Sequence, residues 1–274
     1  MNMVVCIKQV PMVSELPWDP ATGTLRREMS EGMMNPACRH ALEAALRLKA
    51  LGGGSITVLT MGPPMAEEVL RQALALGADR GLLLCDPAMA GADTFITSLT
   101  LARAIEGYCP DFDLVLCGCY TSDSETAQVG PQLAEELDLP AAAFVEEMEL
   151  RGDCLTVRRV ADGFLETLEM ELPGLVTVST HHYSPRYLSL SGIEDAFPDT
   201  VNIRTLTAED LGLKAASIGA AASPTRIVNV YAPRAGKENI VLRGAPKDIV
   251  DDLLDHFGDR ISGAIGKDIE KGGK

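Results

Sequence analysis

The chain has 274 residues, enough for one large α/β domain or two small ones, and with 46% hydrophobic but only 4% aromatic residues its core must be built from Ala, Leu, Val, Ile and Met. A formal net charge of −15 and a pI of about 4.7 set a repulsive field against a phosphate backbone and argue against nucleic-acid binding. No run of about 18 apolar residues is present, so no direct membrane insertion is expected.

The first half alternates strands and helices. A short apolar strand is expected over 3–7, followed by a turn-rich excursion over 18–33 that reads as a small hairpin. Asn35-Pro36 opens a helix to about 51, because a proline in the first turn lacks only an N–H that would be unpaired there. Gly52, Gly53 and Gly54 end it. A strand over 55–60, a helix over 66–76 closed by Gly77, and a strand over 81–85 follow. Next come a helix over 93–106 capped by Asp93, a strand over 113–117 and a helix over 125–137. One helix between successive strands implies right-handed βαβ units: an open, mostly parallel sheet with helices on both faces.

The second half changes character. Residues 143–150, 153–160 and 164–172 alternate in the β sense, with RGD at 151–153 and ADG at 161–163 as turns, so an antiparallel extension over about 141–172 is expected. A buried strand over 175–179 precedes a loop with an apolar tip. Beyond Thr200 periodicity is weak: 223–234 holds one strand-like run, 246–257 reads as a short amphipathic helix, and 266–274 as a frayed tail. The expected organisation is a single α/β domain over 1–245 and a C-terminal arm over 246–274.

Seven cysteines raise disulfides and metals. Cys6, Cys85 and Cys117 end or interrupt apolar strand-like runs, where Cys acts as a small hydrophobe. Cys117 and Cys119 form CxC rather than a zinc-type CxxC. An odd count without a signal-peptide pattern points to a reducing cytoplasm.

Open parallel sheets bind ligands beyond the carboxyl ends of their strands, here 6–10, 60–63, 85–86 and 118–129. The last is the most informative. The strand stops at Gly118, small polar residues follow, and Ser122-x-x-Glu125 matches a capping box for the next helix. Free N–H groups at that helix start, with the hydroxyls of Ser122, Ser124 and Thr126, would hold a phosphate, and Gln128 would reach a ribose or base. An ordinary solvated helix start has the same appearance, so residue chemistry leaves both readings open. Neither GxxxxGK[ST] nor a strand-linked GxGxxG is present. No catalytic residue emerges. Asp123 and Glu125 suit capping, His40 a half-buried helix face, His181 and His182 a solvated loop, and Cys38 and Cys119 packing rather than redox work.

Motifs spread along the chain resemble the β subunit of electron transfer flavoproteins. They are VVCIKQVP at 4–11, NPACRHALEAALRLK at 35–49, VLTMGP at 58–63, ALALGADRGLLL at 73–84 and GADT at 91–94. DLVLCG at 113–118, DSETAQVGPQLAEELDLP at 123–140, ADGFLETLEMELPGLVTV at 161–178, SPRYLSLSGI at 184–193 and SPTRIV at 223–228 continue the likeness. The resemblance implies a heterodimer with an electron transfer flavoprotein alpha subunit and a buried adenine-nucleotide pocket in this subunit. That pocket holds structural AMP in a simple electron carrier, or a second FAD that accepts hydride from NADH in bifurcating members. Carried over by motif, its residues are Cys6, Asn35, Pro36, Ala37, Cys38, Met61 and Gly118, then Cys119, Tyr120, Thr121, Ser122, Asp123, Ser124, Glu125, Thr126, Ala127, Gln128 and Val129.

A loop over 184–196 that docks an acyl-CoA dehydrogenase or other flavin dehydrogenase maps onto Arg186, Tyr187, Leu190 and Ile193, with Leu190 as its apolar anchor. The C-terminal arm would pack on the alpha subunit. TAQVGP at 126–131 and SPTRIV favour the FAD-holding branch; residues 119–125 read CYTSDSE where that branch reads Arg-Gln-Ala-Ile-Asp-Gly-Asp. Two further readings remain. An adenine-nucleotide-using, α-hydrolase-like enzyme would need a glycine-rich loop after the first strand, where KQVPMVSE has no Gly. A ligand-free interaction module would leave the polar strand end at 118–126 without purpose.

Overall fold

The computed structural model describes residues 1–12, 18–19, 24–25, 31–152, 154–198, 201–226, 228 and 240–271. It divides into two compact units, Met1–Val228 and Asn229–Lys274.

In the first unit, β1 (Asn2–Cys6) is followed by β2 (Gln9–Pro11) and by β3 (Trp18–Asp19) paired antiparallel with β4 (Thr24–Leu25) within the expected excursion; residues 20–23 lie outside the described residues. β5 (Gly32–Met34) then pairs antiparallel with β2, a ladder that periodicity does not reveal. α1 (Pro36–Gly52), β6 (Ser55–Met61), α2 (Glu67–Leu76) and β7 (Arg80–Leu84) follow. Gly77 closes α2 at φ +119, a left-handed cap that costs Gly nothing. α3 (Thr94–Tyr108) starts where the Asp93 carboxylate accepts a hydrogen bond from the Ile96 amide at 3.0 Å.

β8 (Leu114–Gly118), α4 (Val129–Glu136), β9 (Ala141–Arg151), β10 (Cys154–Ala161), β11 (Phe164–Glu171) and β12 (Gly174–Val178) continue the chain. The expected antiparallel extension is formed by β9, β10 and β11, and Asp162 and Gly163 turn the last hairpin at φ +51 and +82. α5 (Leu190–Ala196), β13 (Ile203–Leu206) and α6 (Gly219–Ala222) complete the unit.

The main sheet has nine strands in the order β11-β10-β9-β12-β8-β1-β6-β7-β13. From β9 to β13 the neighbours run parallel; β10 and β11 are antiparallel. Alternation along the strands splits the core in two. Met3, Val5, Ile56, Val58 and Leu116 face α1 and α2, whereas Val4, Leu59, Val115 and Leu133 of α4 pack with Leu101 and Ile105 of α3 on the other side. Helices therefore cover both faces, as the sequence implies.

Three expectations are corrected. The helix placed at 125–137 begins four residues later, at Val129. The tip of the loop at 184–196 is helical as α5, because the Ser189 hydroxyl accepts the Gly192 amide at 3.0 Å and caps it. An edge strand, β13, pairs with β7 beyond Thr200; its four residues are too few to show a period.

The second unit contains α7 (Pro246–Lys271), 26 residues long against the 12 expected over 246–257. Its apolar positions 249, 250, 253, 254, 257 and 261 keep helical spacing and no internal Pro interrupts them, so the helix passes through the stretch expected to fray. Residues 272–274, and all but 223–226 and 228 of the strand-like run at 223–234, lie outside the described residues.

Candidate nucleotide site and docking loop

The carboxyl ends of β1 and β8 meet the start of α1. The β2–β5 ladder places Asn35 beside Lys8, whose carbonyl accepts the Asn35 amide at 2.8 Å. Gly118 closes in on the same point. A Cβ there would stand 2.7 Å from Ala37 C and Cys38 N, so only Gly lets the strand end approach the helix.

The loop after Gly118 crosses this junction and is pinned from three directions. Asn35, fully buried, donates through Nδ2 to the Tyr120 carbonyl at 2.8 Å and accepts the Ser122 amide through Oδ1 at 3.0 Å. Lys8 Nζ forms an ion pair with Asp123 at 2.8 Å. At the far end, the Thr94 hydroxyl donates to Gln128 Oε1 at 3.1 Å, and Ser98 donates to the Val129 carbonyl at 3.1 Å.

This pinning explains why the capping box does not form. The Ser122 amide is taken by Asn35, and Ser122 to Ser124 form a turn in which the Glu125 amide bonds to Thr121 O at 2.8 Å. Glu125 and Ala127 then adopt φ +49 and +54, a left-handed conformation that breaks a helix and is strained for non-glycine residues. Gln128 becomes the residue before α4, with no side-chain cap. The first N–H groups of α4 lack intrahelical partners, and Pro131 sits in its first turn, where a missing N–H costs nothing.

The segment thus offers solvent-facing Ser122, Ser124 and Thr126 and the positive end of α4. Asn35 contacts the loop backbone, Pro36 and Ala37 back it, and Tyr120 is 36% exposed at its rim. Cys6 and Met61 belong to or pack against the opposite core layer from Cys38. Thr60 Oγ1, one residue before the end of β6, is buried with no hydrogen-bond partner among the described residues. The close approach at Gly118, the exposed hydroxyls of Ser122, Ser124 and Thr126 and the start of α4 together fit a nucleotide that carries phosphate.

The thiols do not read as reactive. Burial pushes Cys38 up to about 11, and it raises Cys119 as well. Cys6 is raised by its hydrogen bond with Cys117 and by burial. All three stay protonated at neutral pH and serve as packing. His40 is lowered by burial, and His182 stands 3.5 Å from Glu147 at the surface. A cavity of about 380 Å³ opens at the opposite, amino-end edge of the sheet, lined by Asn2, Asp79, Arg80 and Tyr108. Its polar groups are already engaged: Arg80 donates to Thr57 and to the Tyr108 carbonyl, and Asp79 takes Lys49 and the Ile56 amide.

In the segment at 184–196, Tyr187 and Leu190 are 91% and 83% exposed and Ile193 is 37% exposed. Arg186 is not a free surface cation. Its backbone amide and guanidinium make three hydrogen bonds to Glu43, a carboxylate buried in α1. Sequence reasoning did not name Glu43, Lys8 or Thr94 as site residues, although Lys8 lies within the strand end at 6–10.

Residues 22–211 match the family model for the electron transfer flavoprotein domain. The chain is 41% identical over 260 residues to the electron transfer flavoprotein subunit beta of Thermoanaerobacterium thermosaccharolyticum, covering 95% of this chain and 99% of that protein. It is 42% identical over 236 residues to the caffeyl-CoA reductase-Etf complex subunit CarD of Acetobacterium woodii, covering 86% and 89%. It is 36% identical over 260 residues to the acryloyl-CoA reductase electron transfer subunit gamma of Anaerotignum propionicum, covering 93% and 97%. The chain belongs to the electron transfer flavoprotein family. Its role is that of an electron-transfer subunit in a flavin- and nucleotide-associated carrier, and a β subunit of this family works with an α subunit and with dehydrogenases. Among the described residues no helix is long and apolar enough to cross a membrane.

Proposed function

We propose that this subunit holds an adenine nucleotide, FAD in preference to AMP, at the carboxyl edge of β1, β6 and β8. With it the subunit would relay electrons between NADH, an α subunit and a flavin dehydrogenase in the cytoplasm. The observation that carries this reading is the loop at 118–128, held across the start of α1 by Asn35 and Lys8 and ending at the free amides of α4.

In this reading the chain's residues bind and orient. Asn35 fixes the loop, Gly118 leaves room for it, and the hydroxyls of Ser122, Ser124 and Thr126 with the first amides of α4 take the phosphates. Lys8, paired with Asp123, places an ammonium group beside the loop. A bound flavin supplies the hydride and electron chemistry, which no side chain here provides. TAQVGP at 126–131 is the basis for preferring FAD over AMP. The names of the caffeyl-CoA and acryloyl-CoA reductase relatives favour a partner that acts on an acyl-CoA thioester. Tyr187, Leu190 and Ile193 are its contact, and the arm with α7 packs on the α subunit.

The test is to purify the chain with its α subunit, denature the complex and identify what is released. Two FAD per heterodimer supports the bifurcating form, and one FAD with one AMP supports the simple carrier. Release of no nucleotide beyond that held by the α subunit overturns the pocket. Leu190→Ala tests docking separately: unchanged electron transfer with an acyl-CoA dehydrogenase would rule the loop out.

A further inference from the structure

The docking element joins two helices of the main body through arginine contacts, one at each end. At its start, Arg186 gives Glu43 of α1 its amide at 3.3 Å, Nε at 2.8 Å and Nη2 at 3.2 Å. Glu43 is 5% exposed and also accepts Arg47 Nε at 3.0 Å, so the carboxylate is held from two sides. At its end, Arg71 of α2 donates through Nη1 to the carbonyls of Ala196 and Pro198 at 3.2 and 3.0 Å, while Glu67 holds the same guanidinium at 2.7 Å. Between these ends α5 lies against α2 so closely that a Cβ on Gly192 would collide with the Ala75 carbonyl. The two most exposed apolar side chains of the segment, Tyr187 and Leu190, lie between the clamps.

We infer that Glu43 and Arg71 are positioning residues that hold this element in one conformation, so that Tyr187 and Leu190 are presented ready-made to a partner that neither residue touches. The inference rests on the docking reading of Leu190. Its physical content is preorganisation: a seven-residue helix is too short to be stable alone, and fixing it before encounter removes an ordering cost from binding. α1 carries Glu43 in its first half and Asn35 just before its start, so one rigid helix holds both the nucleotide loop and the docking element in register.

Hydrogen exchange on the heterodimer tests this without a partner. The amides of Arg186, Gly192, Ile193 and Phe197 all have acceptors and report directly on the clamps. Arg71→Met should speed exchange at Ile193 and Phe197 by about tenfold or more, the worth of one lost charge-assisted bond, with Arg71→Lys in between. Glu43→Gln should do the same at Arg186 alone, with β1 and β8 unchanged in all three. In electron transfer with an acyl-CoA dehydrogenase, Arg71→Met should raise the KM for the partner and leave kcat unchanged. Unchanged exchange at these amides, or faster exchange spread through β1 and β8, overturns the inference. Leu190→Ala separates the two claims: if it leaves electron transfer intact while Arg71→Met still loosens α5, the docking reading fails and the clamp stands.

Discussion

Asn35 accepts the amide of Ser122 at 3.0 Å across 87 residues of chain, and its other side-chain atom donates to the carbonyl of Tyr120 at 2.8 Å. One buried carboxamide thereby shapes the loop after β8. Asn35→Ala leaves a carbonyl and an amide without partners, a loss on the order of 2 kcal/mol. The expected outcome is a lower Tm together with loss of the nucleotide proposed for this subunit. Asn35→Asp keeps the Ser122 acceptor but loses the donor to Tyr120, and should fall between Ala and wild type in both measurements.

Gly118→Ala places a methyl 2.7 Å from backbone atoms of Ala37 and Cys38. Neither atom can rotate away, so β8 and α1 must separate. A destabilisation of about 1–3 kcal/mol is expected from such overpacking. Denaturant titration should show a lower midpoint with an unchanged m-value, since the change strains the native state alone.

Lys8→Met removes the ion pair with Asp123, which is partly exposed, with 40% of the lysine and 15% of the aspartate side chain accessible. Its stability effect should stay below about 1 kcal/mol. If Lys8 also serves bound phosphate, nucleotide retention should fall further, and the difference between wild type and variant should shrink in high salt. Equal retention at low salt would show that Lys8 only tethers the loop.

The Glu43 carboxyl is pushed up by burial, but hydrogen bonds from Arg186 and Arg47 outweigh that, so it titrates below its ordinary value of 4.5. A depressed carboxylate stabilises the fold fully above that value and loses the contribution as pH falls through the folded one. Protection of the Arg186 amide should therefore be constant from pH 7 to 5 and decline only in stronger acid. Glu43→Gln should flatten that decline.

Much of the architecture could be read from local pattern. Alternation of apolar residues and the spacing of βα units foretold the parallel sheet, Asp93 foretold the cap of α3, and Gly77 the end of α2. Such signals act within a few residues and survive tertiary packing. The family likeness likewise lies in short motifs, which is why the chain as a whole could be assigned before its geometry was known.

What only the tertiary structure decided depends on partners far apart in sequence. Ser122-x-x-Glu125 is a sound local cap, yet α4 starts at Val129, because Asn35 takes the Ser122 amide and Lys8 draws Asp123 aside from 115 residues away. Arg186, carried over by resemblance as a docking residue, is held by Glu43, 143 residues earlier. β13 has too few residues to show a period and becomes a strand through its pairing with β7. The sequence by itself determined the parallel βα framework, the antiparallel extension and the family. The conformation of the strand-end loop and of the segment at 184–196 was left to long-range hydrogen bonds, because short polar segments have no periodic apolar face to bury and take the shape their distant partners impose.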